Sequence, residues 1–225
     1  MCANYTPSRL DAISEHYGLE RALFSTPAEA YPGYLAPMLR PARDAGGAIE
    51  CVAAMFGMVP HWAEPKLARQ TYNARTETVA IKPSFRNAWQ RHQFCIIPAE
   101  HFYEPCYETG KPVRWRIAHA GQQPLAIAGI WETRASGPDG LPLLSFSMLT
   151  INADGHPLMQ RFHKPGEEKR MIMLLEPQQY QGWLDGELVN DAALYRPWPA
   201  GQLVAVADPL APRAKVTTAG APDLF

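Results

Sequence analysis

Pro124-Leu125-Ala126-Ile127-Ala128-Gly129-Ile130-Trp131 and Pro142-Leu143-Leu144-Ser145-Phe146-Ser147-Met148-Leu149-Thr150-Ile151 are two apolar runs of strand length, separated by a stretch that holds Ser136-Gly137-Pro138-Asp139-Gly140. Short apolar runs bounded by Gly and Pro read as strands joined through a turn. Working outward, similar runs occupy 49–57, 93–98, 113–119, 170–175 and 202–206. Helical stretches are expected at 84–92 and at 177–184, the second opening with Glu176-Pro177. Near the start, Thr6-Pro7 reads as an N-cap followed by Pro at the first helical position, with Leu10, Ile13 and Tyr17 on one face and Gly18 as the stop. Residues 26–48 are rich in Pro, Gly and Ala and read as irregular loop. Many strands and few helices, not in strict alternation, predict an α+β fold with a mostly antiparallel sheet or barrel. No linker divides the chain, so one domain is expected over 1–225, with its core at about 2–208 and a C-terminal tail at 209–225.

The chain has 225 residues and a formal net charge of −1. Its ordinary apolar content argues against disorder, and its bulk charge does not mark a nucleic-acid binder, so any polyanion site must be a local patch. Arg9, Asp11, Glu15, Glu20 and Arg21 interrupt the first 25 residues, which excludes a secretory apolar run there, and no stretch is apolar enough to predict a membrane span. The four cysteines, Cys2, Cys51, Cys95 and Cys106, show no CxxC spacing, and Cys51 and Cys95 lie in apolar runs expected to be reduced core. Together these features predict a cytoplasmic protein. His61, His101, His156 and His163 form no metal-binding spacing, and P-loop, GxGxxG and GxSxG motifs are absent, so neither metal nor cofactor is expected.

Four segments could carry chemistry. Removal of Met1 would make Cys2 an N-terminal cysteine, with an amine and a thiol on neighbouring carbons whose reference pKa values are roughly 8 and 8.5. Such a 1,2-aminothiol condenses with an aldehyde to an imine and then closes a thiazolidine ring; taken alone, Cys2 is also simply a second residue. Tyr72-Asn73-Ala74-Arg75-Thr76-Glu77-Thr78, followed by Lys82, Phe85, Arg86, Trp89 and Arg91, interleaves cations with aromatics as a single-strand groove does. The alternative is an amphipathic helix with Phe85 and Trp89 in the core. Glu104 sits in Phe102-Tyr103-Glu104-Pro105, where apolar surroundings suit a proton donor, although an acid in a strand can also face water. His163, in the polar stretch Arg161-Phe162-His163-Lys164-Pro165-Gly166, suits a proton shuttle, with His156 as its rival and a plain surface role as the alternative.

The order of these segments resembles the abasic-site processing family, also called SOS-response-associated peptidase (SRAP) proteins. The likeness runs from Cys2 to about Trp183 through Ala36-Pro37, Gly57-Met58-Val59-Pro60-His61-Trp62, Asn73-Ala74-Arg75-Thr76-Glu77-Thr78, Ile97-Pro98-Ala99, Phe102-Tyr103-Glu104, Ala128-Gly129-Ile130-Trp131, Thr150-Ile151-Asn152-Ala153, His163 and Arg170-Met171. The chain departs from the family pattern where Ala3-Asn4 replaces Gly-Arg, where Tyr34, Phe56 and Pro105 stand, and in a longer stretch between His163 and Arg170.

The resemblance implies a compact α+β domain with a barrel-like β core and a positively charged channel for single-stranded DNA. It implies a monomeric sensor that traps abasic sites as a thiazolidine crosslink during the SOS response and associates with the nucleoid when bound to DNA. Release of its own N-terminal residue and lyase activity are implied as side reactions. Carried over by position, the reacting groups are Cys2, Asn73, Glu104 and His163, and the DNA contacts are Asn4, Pro37, Trp62, Arg75, Glu77, Thr78, Arg86 and Arg170. Two other readings share part of the pattern. An N-terminal-nucleophile glutamine amidotransferase also begins with Cys but needs a glutamine pocket absent from this sequence. A non-catalytic single-strand binder would use the basic and aromatic patch alone.

Overall fold

The computed structural model describes residues 2–42, 47–135 and 140–210. Met1 and all of the expected tail beyond residue 210 lie outside them. Ten strands form one sheet: β1 (Tyr5–Pro7), β2 (Leu35–Pro41), β3 (Ile49–Phe56), β4 (Asn73–Arg75), β5 (Phe94–Cys106), β6 (Val113–His119), β7 (Leu125–Arg134), β8 (Leu143–Asn152), β9 (Arg170–Ile172) and β10 (Leu203–Ala207). Among the described residues three short α-helices accompany them, α1 (Leu10–Tyr17), α2 (Arg86–Gln90) and α3 (Tyr180–Leu184). The α+β class read from the sequence is the one observed. No helix among the described residues is long and apolar enough to cross a membrane.

Five strands pair in a ring, β5–β2–β3–β8–β7–β5. Two of its seams are thin: β2 meets β5 only at Leu39↔Ile96, and β3 meets β8 in parallel only at Met55↔Ser145 and Phe56↔Phe146. The core is therefore barrel-like without being a regular barrel. β8 is long enough to serve two sets of neighbours. Its first half lies between β3 and β7, and its second half pairs with β4 in parallel and with β9 antiparallel. β5 likewise carries β7 on its first half and β6 and β1 on its second.

Several local expectations change. Thr6 and Pro7 lie in β1, and α1 starts three residues after Pro7 with Arg9 at its N-cap. Pairing with β5 captures the segment that looked like a helix start. The loop expected at 26–48 contains β2, whose Pro37 and Pro41 read as breakers. A proline lacks the ladder donor but is tolerated where one side of the strand is sparsely bonded, as β2 is toward β5. The strand expected at 93–98 continues to Cys106 through Pro98 and Pro105, so Glu104 lies within β5. β9 ends at Ile172, although Leu174 still bridges Ile127. Gly18 does end α1 in the left-handed region, at φ 65°.

Outside the ring, α3 packs against β5. Trp183 is fully buried and its indole donates to the Cys95 carbonyl at 2.9 Å. Burial of a side chain that size stabilises by about 4–6 kcal/mol.

Gly57 leaves β3 at φ 102°, its N–H donating to the Phe146 carbonyl at 2.9 Å, and a Cβ there would collide with the Ala68 backbone. Gly33 has φ 100° but open space around it. Gly57→Ala is expected to cost about 3 kcal/mol or more, from strain and overpacking together, whereas Gly33→Ala should cost about 1–2 kcal/mol from strain alone. Urea denaturation of the two variants measures the difference.

Candidate active site around Cys2

The sequence-predicted reacting groups meet where β1 lies against β5. The register Tyr5↔Phe102 and Thr6↔His101, with the Tyr103 N–H donating to the Asn4 carbonyl at 3.1 Å, lays the first residues along the second half of β5. Cys2 is thereby carried alongside Glu104, and both are buried. β4 supplies Asn73, whose Nδ2 donates to the Cys2 carbonyl at 2.7 Å. His163 follows the short 3-10 turn Met159–Arg161 and lies 3.0 Å, Nε2 to Oε2, from Glu104. Glu104 is 2% exposed and His163 8%, so the alternatives of an acid facing water and a plain surface histidine do not describe them.

His163 adopts φ 63°, uncommon for a residue with a side chain. Its surroundings hold it there. Its N–H donates to the Pro105 carbonyl at 3.0 Å, and the Lys169 ammonium donates to the carbonyls of Phe162, His163 and Lys164 at 2.8, 3.3 and 3.1 Å. Strained backbone fixed in this way is characteristic of positions where side-chain aim matters. The rival His156 has both ring nitrogens committed to backbone. Nε2 lies 2.7 Å from the Trp198 carbonyl, and Nδ1 accepts from the Leu158 and Met159 N–H groups. That arrangement fixes one neutral tautomer and makes His156 a structural brace.

Burial pushes the Cys2 thiol up to about 12, and the charge of Glu104 adds to the rise. Hydrogen bonds with the backbone at Asn4 and Tyr103 partly oppose it. The resting group is a neutral thiol whose Sγ points to the Asn4 carbonyl at 3.4 Å. A cleft of about 390 Å³, lined by Asn4, Tyr31, Tyr103, Glu104, Arg114 and Leu210, reaches the site at Glu104, while Cys2 itself stays buried behind its wall. Glu29 ties the walls of this cleft together: it accepts from Asn4 at 3.2 Å, Tyr31 at 2.9 Å, Tyr103 at 3.2 Å and Arg114 at 2.5 Å. Burial pulls the Glu29 carboxyl up, but the bonds from Arg114 and Tyr31 outweigh it and hold the group below its usual range. Arg114 also lies 3.4 Å over the Tyr103 ring. Glu29, Tyr31 and Arg114 were not legible as site residues, because a loop acid and a strand arginine carry no motif.

The remaining sequence-predicted contacts are scattered. Pro37 is buried in β2 opposite Ala53. Trp62 is 56% exposed beside an apolar hollow that includes Ala63 and Leu67. Arg86 is exposed at the start of α2, and Thr78 donates its N–H to the Arg75 carbonyl at 3.0 Å. Arg75 pairs with Glu168 at 2.7 Å, and Arg170, 3% exposed, takes Glu77 in a fork at 2.8 and 2.9 Å. Of the two readings of the basic and aromatic stretch, the core one holds for its rings. Phe85 is buried and Trp89 packs edge-on against Phe94 at 5.3 Å, so neither ring is free to stack on a base.

The model of the SOS response associated peptidase (SRAP) family matches residues 1–207. The chain belongs to the SRAP family. It is 30% identical over 192 residues to the abasic site processing protein YoqW of Bacillus subtilis, covering 82% of this chain and 80% of that one. It is 26% identical over 176 residues to the abasic site processing protein HMCES of Xenopus tropicalis, covering 68% of this chain and 50% of that one. A crystal structure of a Bordetella bronchiseptica protein superposes with a TM-score of 0.81 at 34% identity, covering 93% of this chain and 100% of that one. Within this SRAP fold, β4, β5 and the loop before β9 bring Asn73, Glu104 and His163 together at Cys2, which the segment leading into β1 carries.

Two outcomes test the site's electrostatics. Alkylation of Cys2 by iodoacetamide, followed on its peptide by mass spectrometry, should be slow at pH 7.5 and accelerate only as pH rises toward 12. Removing the negative charge in Glu104→Gln should move that acceleration to lower pH, since the carboxylate disfavours the thiolate. His156→Ala should lower stability by about 1–3 kcal/mol, the cost of stranding buried polar groups, with no change in the Cys2 alkylation profile.

Proposed function

We propose that the protein processes abasic sites in single-stranded DNA, capturing the ring-opened sugar aldehyde through Cys2 after Met1 is removed. The observation that carries this reading is one set of contacts: Asn73 grips the Cys2 main chain while Cys2 packs beside the buried Glu104–His163 pair. The family membership and the names of the relatives support the same substrate.

The chemistry balances without a cofactor. The neutral α-amine of Cys2 adds to the aldehyde carbon C1′, giving a carbinolamine. His163 or Glu104 delivers a proton to its hydroxyl, which leaves as water; the iminium nitrogen returns one proton to the same group and an imine remains. The thiol then gives its proton to the same pair and its sulfur adds to the imine carbon; the imine nitrogen regains a proton and the thiazolidine closes. One water is lost overall and no electrons are transferred. A thiol resting near 12 needs a base within reach, and Glu104 beside it is in place to receive the proton. Asn73 keeps residue 2 from swinging away during these steps. Failure of the ring to close would leave an imine prone to β-elimination, the source of a lyase side reaction. Crosslinking would shield the lesion during a DNA-damage response, and exposure of Cys2 by the protein's own peptidase activity belongs to the same proposal.

Incubation with single-stranded DNA bearing an abasic site, followed by a denaturing gel, should give a stable slow-migrating adduct. Intact-mass measurement should show loss of Met1. Cys2→Ser should form no stable thiazolidine; an equally stable adduct from that variant would sink the proposal. Glu104→Gln and His163→Ala should slow adduct formation or its reversal by about 10²–10⁴-fold while non-covalent affinity changes little.

A further inference from the structure

Three side-chain donors on different elements converge on one carboxylate close to His163. Arg75 at the end of β4 donates to Glu168 Oε2 at 2.7 Å, Arg170 at the start of β9 donates to Oε1 at 2.8 Å, and Asn152 at the end of β8 donates to Oε1 at 3.2 Å. Two guanidinium groups and an amide around two oxygens are the donor set that binds a phosphodiester as well as a carboxylate. Glu168 belongs to the exposed stretch Lys164–Glu168, which turns at Gly166 with φ 81°.

We infer that Glu168 occupies, in the free protein, the place a DNA backbone phosphate would take among Arg75, Arg170 and Asn152, and so acts as a built-in competitor. The inference rests on the single-stranded DNA reading above. Glu168 can leave without dismantling its surroundings. Arg170 keeps its fork to Glu77 and its bonds to Thr150 Oγ1 at 3.2 Å and to the Thr150 carbonyl at 2.7 Å. Lys169 continues to clamp the His163 loop through three carbonyls. Glu168 itself is 36% exposed and Arg75 47%, so this pair is solvent-screened and easily exchanged. The Glu168 carboxyl is held below its usual range by the bond from Arg170, so it is ionised and competes with phosphate at neutral pH. The stretch between His163 and Arg170 supplies the competitor.

The test is anisotropy of a fluorescent single-stranded oligonucleotide without abasic sites, which reads affinity apart from crosslinking. Glu168→Gln should bind roughly fivefold more tightly at low salt, the worth of an exposed ion pair. The advantage should shrink as salt rises. In an Arg75→Ala background the gain should nearly vanish. Glu167→Gln, with the same charge change one residue away, should leave affinity unchanged. Should Glu168→Gln melt early, Glu168→Asp, which shortens the reach, should raise affinity in the same direction, and no rise would overturn the inference. Equal gains from Glu167→Gln and Glu168→Gln would overturn it in favour of bulk charge. Tight wild-type binding with no gain in Glu168→Gln would overturn it while leaving the proposed function intact. No binding by either protein would overturn the single-strand reading itself, and the subsite with it.

Discussion

A carboxylate and an imidazole held 3.0 Å apart, almost out of reach of water, set the terms for the rest of this molecule. Removing such groups from water costs several kcal/mol unless each faces a partner. Glu104 therefore needs His163, and His163 needs a loop that can aim it. A left-handed backbone, a bond to the Pro105 carbonyl and the Lys169 clamp supply that aim. The same burial removes the Cys2 thiol from its ordinary reactivity. A thiol that resists ionisation in the free protein is protected from random oxidation and alkylation. It gains a route to reaction only where a proton acceptor stands beside it.

The fold delivers four groups by pairing rules rather than by one rigid scaffold element. β5 is long because it must hold β7 at one end and present Glu104 between β1 and β6 at the other. β8 plays the corresponding part for Asn73, since β4 reaches the site only by adding in parallel to its second half. Glu29 joins the cleft walls on the other side, linking Asn4, Tyr103 and Arg114 through one carboxylate. Loss of that hub would leave the covalent groups intact but loosen the segment that carries Cys2.

Strands with strong apolar character were legible in the sequence: β3, β6, β7, β8 and β10 lie close to their expected bounds. What was missed has a common cause. β1, β2 and β4 are short or proline-bearing and gain their structure from a long neighbour, so their own residues carry little local signal. Glu104, Asn73, His163 and Cys2 were named from motif order, and their convergence is a tertiary fact that no spacing encodes. Residue type and setting alone did not separate His163 from His156, because both lie in polar loops; motif order selected His163, and the committed ring nitrogens of His156 set it apart in the structure. Phe85 and Trp89 show how one pattern admits two readings, of which the core one holds. Aromatics at helical spacing beside arginines mimic a stacking surface while belonging to the core.

A chain with a net charge of −1 is poorly equipped to grip a polyanion by bulk attraction. The local cations are, moreover, largely spoken for: Arg75, Arg91, Arg114, Arg161 and Arg170 each face a carboxylate within 4.0 Å. Each phosphate contact adds only about 0.7 to the salt slope for single strands, so on the proposed function a few partly paired arginines would give weak, salt-sensitive and rapidly reversible binding. Weak binding is a defect for a protein that coats DNA. On the proposed capture chemistry it would suit a protein whose lasting attachment is covalent, because undamaged strands would be released and only a strand offering an aldehyde would be retained. On that proposal selectivity would lie in the chemistry of Cys2 and the dry Glu104–His163 pair, and the paired arginines would keep the electrostatic term from overriding it.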